Sequence, residues 1–139
     1  MSSPDRLLDT SAAIALVLAS HEHHEETVDH LDGLRLGLAG HAWFETFSVI
    51  TRMPAPTRRS PEVVAQILAQ NFPDSCFLSE ERTRELTATI GESGLAGGAV
   101  YDALVGAAAA ERTIPLVTRD RRAIDTYRLV GAAFELIST

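Results

Sequence analysis

Ile114-Pro115-Leu116-Val117-Thr118, followed directly by Arg119-Asp120, is the stretch on which the fold turns. A short apolar run bounded by polar residues reads as a strand buried on both faces. Such a strand needs helices to cover it, and helical patterns lie on either side. A small-residue helix follows Gly97-Gly98 and reaches about Glu111, and a second spans Arg121–Leu129 and is closed by Gly131.

Working outward, the same alternation runs through the whole chain. Arg6–Asp9 reads as a strand, with Thr10 or Ser11 as N-cap of an Ala/Leu-rich helix. His23–Leu34 is polar and helical, with Val28 and Leu31 at i, i+3 spacing, and Leu34–Leu38 is the next strand candidate. A helix from about His41 to Arg52 is stopped by Pro54 and Pro56. Ser60-Pro61 opens another, with Val64, Ile67 and Leu68 on one face. Cys76–Leu78 is a short strand candidate, Glu80–Ile90 a helix ending near Gly91 and Gly94, and Phe134–Ile137 a terminal strand. Strands separated by helices require crossover connections. The expected fold is therefore α/β, a mainly parallel sheet with helices on both faces, in a single domain spanning residues 1–139.

Composition narrows the chemistry. With 139 residues, 45% apolar and 22% charged, the chain suffices for one core and is too short for two. The formal net charge is −7, and all twelve basic residues are Arg. The absence of Lys excludes a Walker lysine, a Schiff base and a lysine general base. An all-Arg set suits bidentate phosphate contacts, although genome composition explains it equally well. The acidic balance argues against long-range attraction to nucleic acid, but leaves a phosphodiester substrate open if carboxylates carry cations. Cys76, the single cysteine, allows no intrachain disulfide and fits a reducing compartment. Residues 12–19 are apolar, but Asp5 and Asp9 flank them and only Arg6 is basic, so the flanks of a signal peptide are missing. No run approaches the ~20 apolar residues of a membrane span. A soluble cytoplasmic protein is expected.

Four acids stand out by position. Asp9 ends an apolar strand and Asp120 lies just beyond the 114–118 strand. In open parallel sheets ligands gather at the carboxyl ends of strands, so both point to that edge, although Asp also caps helices there. Glu45 lies in an aromatic-rich helix and Asp102 in a small-residue helix, neither with a basic residue at i±3 or i±4. Buried without compensation, such carboxylates cost several kcal/mol or become neutral. Each is either paired with a distant Arg or shares a purpose with the strand-end acids. Converging carboxylates repel unless a cation holds them ionised, and all-oxygen ligation selects Mg²⁺ or Mn²⁺ over zinc. Such a site suits metal-assisted phosphodiester hydrolysis. Thr10, Ser11 and Thr118 stand where hydroxyls orient ligands or water, or simply cap helices.

Asp9-Thr10-Ser11, Glu45 in residues 45–54, Asp102 in residues 101–109 and Asp120 in residues 117–131 together resemble PIN-domain nucleases, most closely the VapC-type toxins of bacterial toxin–antitoxin pairs. The resemblance covers essentially the whole chain. It implies a three-layer α/β/α fold and divalent-metal-dependent endoribonuclease activity on RNA. It also implies restraint by a cognate antitoxin protein that covers the acidic pocket, and a homodimer. Asp9, Glu45, Asp102 and Asp120 match the family's acids.

Arg52, Arg119, Arg121 and Arg122 are the candidate RNA contacts, with salt bridges to surplus acids as the alternative. Arg58 and Arg59 either grip a strand or are solvated. Asp125 is read as exposed. The cluster His21-Glu22-His23-His24-Glu25-Glu26 suggests zinc, but a polar surface helix with solvated histidines accounts for it better. His41 reads as a helix-terminus residue, and Trp43, Phe44, Phe47 and Phe72 as core or a subunit interface. Two competing functions remain: a non-catalytic interaction module of the same fold, and phosphoryl transfer through an aspartyl intermediate at Asp9. The second lacks the lysine and the second Asp it needs, since Ser11 stands in that place.

Overall fold

The computed structural model describes residues 3–137. Four short strands, β1 (Arg6–Leu8), β2 (Leu36–Leu38), β3 (Leu116–Thr118) and β4 (Phe134–Leu136), form one sheet in the order β2-β1-β3-β4. Every pairing is parallel, with Leu7 opposite Leu116 and Leu8 opposite Val117. The intervening helices are α1 (Thr10–Val17), α2 (His24–Leu31), α3 (Ala42–Thr51), α4 (Pro61–Asn71), α5 (Glu80–Ser93), α6 (Gly98–Arg112) and α7 (Ile124–Leu129).

Period-2 alternation of apolar strand residues sorts the helices into two layers. Leu7 and Leu116 face a cluster with Val105 and Ala108 of α6 and Tyr127 of α7. Leu8, Leu38 and Val117 face the other side, against Ala12 and Ala13 of α1, Ile50 of α3 and Leu68 of α4. Leu7, Leu8, Leu116 and Val117 are fully buried, each contributing about 1.5–3 kcal/mol relative to exposure. The alanine run of α6 lets that helix lie close to the sheet and to α7; a Cβ at Gly106 would come within 2.7 Å of Val130. The three-layer α/β/α architecture expected from sequence is the one observed.

Three local expectations are corrected. Asp9, not Thr10 or Ser11, is the N-cap of α1: it is the last extended residue, and its carboxylate accepts from the Ala12 amide at 3.1 Å. Cys76–Leu78 is not a strand. Its pairing is one bridge long, Ala39 to Cys76, because the Ser75 hydroxyl rather than a backbone carbonyl accepts from the Leu38 amide. Residues 121–129 are not one helix: Asp120 caps a tight 3-10 turn, Arg121–Ala123, before α7 begins. Among the described residues no helix is long and apolar enough to cross a membrane.

Candidate active site

In this strand order the chain leaves β1 for β2 on one side while β3 lies on the other, so the β1/β3 boundary is the topological switch point where a crevice opens at the carboxyl edge. Asp9 follows β1 and Asp120 follows β3, so the two acids flank that crevice. Glu45 comes from the first turn of α3, just after β2, and Asp102 from near the start of α6. Stacking of His41 on Tyr101, with centroids 4.7 Å apart, ties the start of α3 to the start of α6.

Asp9 is buried and heavily hydrogen-bonded. Its Oδ1 accepts from Ser11 Oγ at 2.6 Å and from the Ala12 amide, and its Oδ2 accepts from Tyr127 Oη at 2.7 Å. Burial pushes the carboxyl above its ordinary range, while the hydroxyls of Ser11, Thr118 and Tyr127 pull the other way. Ser11 Oγ also accepts from the Arg119 amide at 2.8 Å, and Thr118 Oγ1 accepts from the Asp120 amide at 3.0 Å. Ser11 Oγ therefore laces the β1 loop to the β3 loop, through the Arg119 amide and, at 3.4 Å, the Thr118 hydroxyl.

Asp102 is half-buried and its carboxyl is pushed up to about 6. Burial is the largest cause, followed by the negative charges of Asp120, Glu45 and Asp9, with Arg122 acting in the opposite sense. Three acids far apart in sequence thus act on Asp102 at one edge of the sheet. Neither Asp102 nor Glu45 has an ion-pair partner among the described residues, which removes the reading in which each is neutralised by its own Arg. Glu45 itself is exposed, so the argument from burial applies to Asp102 and Asp9 but not to Glu45.

Among the described residues no three His, Cys, Asp or Glu side chains close into a ready cage. A Mg²⁺ ion dehydrates reluctantly and commonly takes only one or two carboxylates directly, with water and substrate phosphate completing its shell. Thr10 Oγ1 and Thr46 Oγ1, each adjoining an acid in sequence, are buried without a hydrogen-bond partner. A carboxylate raised by burial and by three neighbouring acids fits a hydrated cation.

A profile of the PIN domain matches residues 6–129. The chain belongs to the PIN-domain family. Ribonuclease VapC27 of Mycobacterium tuberculosis is 41% identical over 128 residues, covering 92% of this chain and 93% of that protein. Ribonuclease VapC40 of the same species is 39% identical over 132 residues, covering 94% and 97%. Among solved structures, VapBC2 from Rickettsia felis bound to a DNA fragment from their promoter superposes with a TM-score of 0.66 at 15% identity, over 94% of this chain and 97% of that one. PAE2754 from Pyrobaculum aerophilum gives 0.59 at 21% identity, over 96% and 92%. The two Mycobacterium tuberculosis relatives span the chain, and their VapC names agree with the resemblance drawn from the acids.

In this PIN domain the candidate RNA contacts differ in their availability. Arg119 is committed: its guanidinium is 2.7 Å from Glu26 and 3.3 Å from Thr27 Oγ1, with only 8% of the side chain exposed. Arg122 is exposed and touches Asp120 through Nε, whereas Arg121 and Arg52 are exposed without an ion pair among the described residues. Asp125 is exposed and lies 3.7 Å from Arg128. His24 Nδ1 is 2.9 Å from the Ala15 carbonyl, and His21 and His23 line a cleft treated below. Phe72 is core, Trp43 and Phe47 are half-buried, and Phe44 is 64% exposed.

Sequence reasoning passed over Tyr127. A buried Tyr must satisfy its hydroxyl, and that rule was the available signal. Tyr127→Phe keeps the ring and removes the donor to Asp9. The expected loss is about 1.5–3 kcal/mol, as for a hydrogen bond to a charged group, or roughly 5–10 °C in Tm. A thermal melt indistinguishable from wild type would show that the bond is not formed in solution.

Proposed function

We propose that this chain is a divalent-cation-dependent endoribonuclease that hydrolyses RNA phosphodiester bonds, and the toxin of a toxin–antitoxin pair. The observation that carries the proposal is the gathering of Asp9, Glu45 and Asp120, from three other elements, around Asp102, where burial first and then their negative charges push the carboxyl up to about 6. Full-length likeness to proteins named ribonucleases supports RNA as the substrate class.

On this reading Asp9 and Asp102, with Asp120 and Glu45 beside them, hold Mg²⁺ or Mn²⁺ directly or through water. A cation held there would supply positive charge to offset the negative charge building on the scissile phosphate and would lower the pKa of a water. Ser11 holds Asp9 and Thr118 holds Asp120, and the two loops are tied together by Ser11 Oγ through the Arg119 amide and the Thr118 hydroxyl. Tyr127 donates to Asp9 Oδ2 and fixes the orientation of the carboxylate. Thr10 offers an unpartnered hydroxyl next to Asp9. A cognate antitoxin is supported by the structural likeness to VapBC2. Self-association and a cytoplasmic site of action complete the proposal.

Incubation of a mixed RNA pool with purified protein in Mg²⁺, Mn²⁺ or EDTA tests the reading. Cleavage is expected with either cation and not with chelator, leaving a 3′-hydroxyl and a 5′-phosphate. Undiminished cutting in EDTA would exclude cation dependence, and a 2′,3′-cyclic phosphate would mean internal attack by the 2′-hydroxyl.

A further inference from the structure

Beside the carboxylates lies a cleft of about 430 Å³ between the loop joining α1 to α2 and the turn after β3. Ser11 and Asp120 belong to its lining, so it opens directly onto the acidic site. One wall carries His21, Glu22 and His23, the other Arg121 and Arg122, and Ile14 and Leu136 add apolar surface. Its volume falls within the range of small-ligand sites, large enough for a mononucleotide and too small for a base pair with both backbones.

The chemistry of the walls suits a nucleotide. His21 Nδ1 accepts from the His23 amide at 3.0 Å, so the neutral ring keeps its proton at Nε2, as a donor. Burial, reinforced by the neighbouring His23 and Arg119, holds the His21 pKa below its ordinary value and keeps the ring neutral at pH 7. The two imidazoles, 5.7 Å apart and tilted by 51°, present flat faces on which an unstacked base can rest. Glu22 is the one acid on that wall, and its carboxylate lies 3.4 Å from His23 Nε2. Opposite stand Arg121, without an ion pair among the described residues, and Arg122, whose guanidinium meets Asp120 through Nε alone. Planar guanidinium forks grip phosphate.

We propose that this cleft takes one unpaired ribonucleotide adjoining the scissile phosphate, with its base against His21 and His23 and its phosphate on Arg121 and Arg122. The proposal rests on the ribonuclease reading and adds to it that the substrate must be single-stranded at this position.

The test uses the full chain in EDTA, with a short single-stranded oligoribonucleotide and the same sequence as a duplex. NMR of the five imidazoles should show the single strand shifting His21 and His23 while His30, beside Glu135, stays in place. The duplex should bind at least about tenfold more weakly. Arg121→Glu should weaken single-strand binding by about tenfold with an unchanged melting temperature, and in Mn²⁺ should raise KM with kcat preserved. RNA that binds without moving His21 and His23, equal affinity for the duplex, or a silent Arg121→Glu overturns the proposal. So does RNA that is cleaved normally but does not bind here. Failure of the wild-type chain to cut any RNA in any cation would instead overturn the ribonuclease reading, whatever the cleft binds.

Discussion

Asp102→Asn is expected to reduce RNA cleavage by more than the 10–100-fold typical of losing even an outer partner of a metal ligand, while raising the thermal stability of the chelated protein at pH 7. Both effects come from one cause. Burial and the charges of Asp120, Glu45 and Asp9 raise the Asp102 carboxyl from 3.8 to about 6. The native state therefore binds this proton more tightly than the unfolded chain does. Stability is greatest below the unfolded pKa and falls as pH rises through about 6. Asn is neutral throughout, so the variant should lose less stability between about pH 4 and pH 6 and melt higher above that window. Some slope should remain, because burial raises Asp9 as well. Mg²⁺ should reverse the order by stabilising the wild type more than the variant. Scanning fluorimetry across that pH range, with chelator and then with Mg²⁺, measures all of this. Parallel pH curves for the two proteins would mean that Asp102 is not the group under strain.

Gly37→Ala should be the most damaging single-methyl change in the chain. Gly37 pairs with Leu7 at the centre of β2, and a Cβ there would strike the Asp74 carbonyl oxygen, with the carbonyl carbon at 2.6 Å and the Ser75 nitrogen at 2.7 Å. All three atoms are backbone. They cannot yield cheaply, because Ser75 Oγ accepts from the Leu38 amide, the Cys76 amide donates to the Leu38 carbonyl, and Asp74 is 2.8 Å from Arg35. Overpacking of this kind costs about 3 kcal/mol, or roughly 10 °C in Tm. Cleavage should fall too, since β2 leads through Ala39 and Gly40 into α3 and Glu45. Gly91→Ala is the control: it lies within α5, a Cβ there meets nothing within 4 Å, and the change should stabilise by about 0.5–1 kcal/mol. Denaturant curves for both variants decide the matter; a wild-type midpoint for Gly37→Ala would mean that the 72–76 segment is free to move.

The acids themselves were legible because each sits at a place where local pattern speaks. Asp9 and Asp120 adjoin apolar runs that cannot be anything but strands, and Asp102 interrupts a small-residue helix with no cation one turn away. Glu45 was legible by its place in the order of acids, but its environment was misjudged: an aromatic-rich helix suggested burial, whereas the face bearing Glu45 and Phe44 is open. The reading of Arg119 as available to a substrate suffers from the same limitation. Nothing in residues 118–122 announces that Glu26, on α2, will occupy that guanidinium.

Short-range pattern was enough to determine the succession of strands and helices apart from Cys76–Leu78 and the break after Asp120, the pairing of an acid with each of two strand ends, and the exclusion of every lysine-based chemistry, because hydrophobic periodicity and residue inventory are properties of neighbours along the chain. Tertiary structure alone decided the strand order, and with it the meeting of Asp9 with Tyr127, 118 positions away, of Ser11 with the β3 loop, and of the α1–α2 histidines with Arg121 and Arg122. Those meetings depend on which strands lie side by side and which way helices cross the sheet, and that is settled by how two apolar faces of one sheet are covered at once.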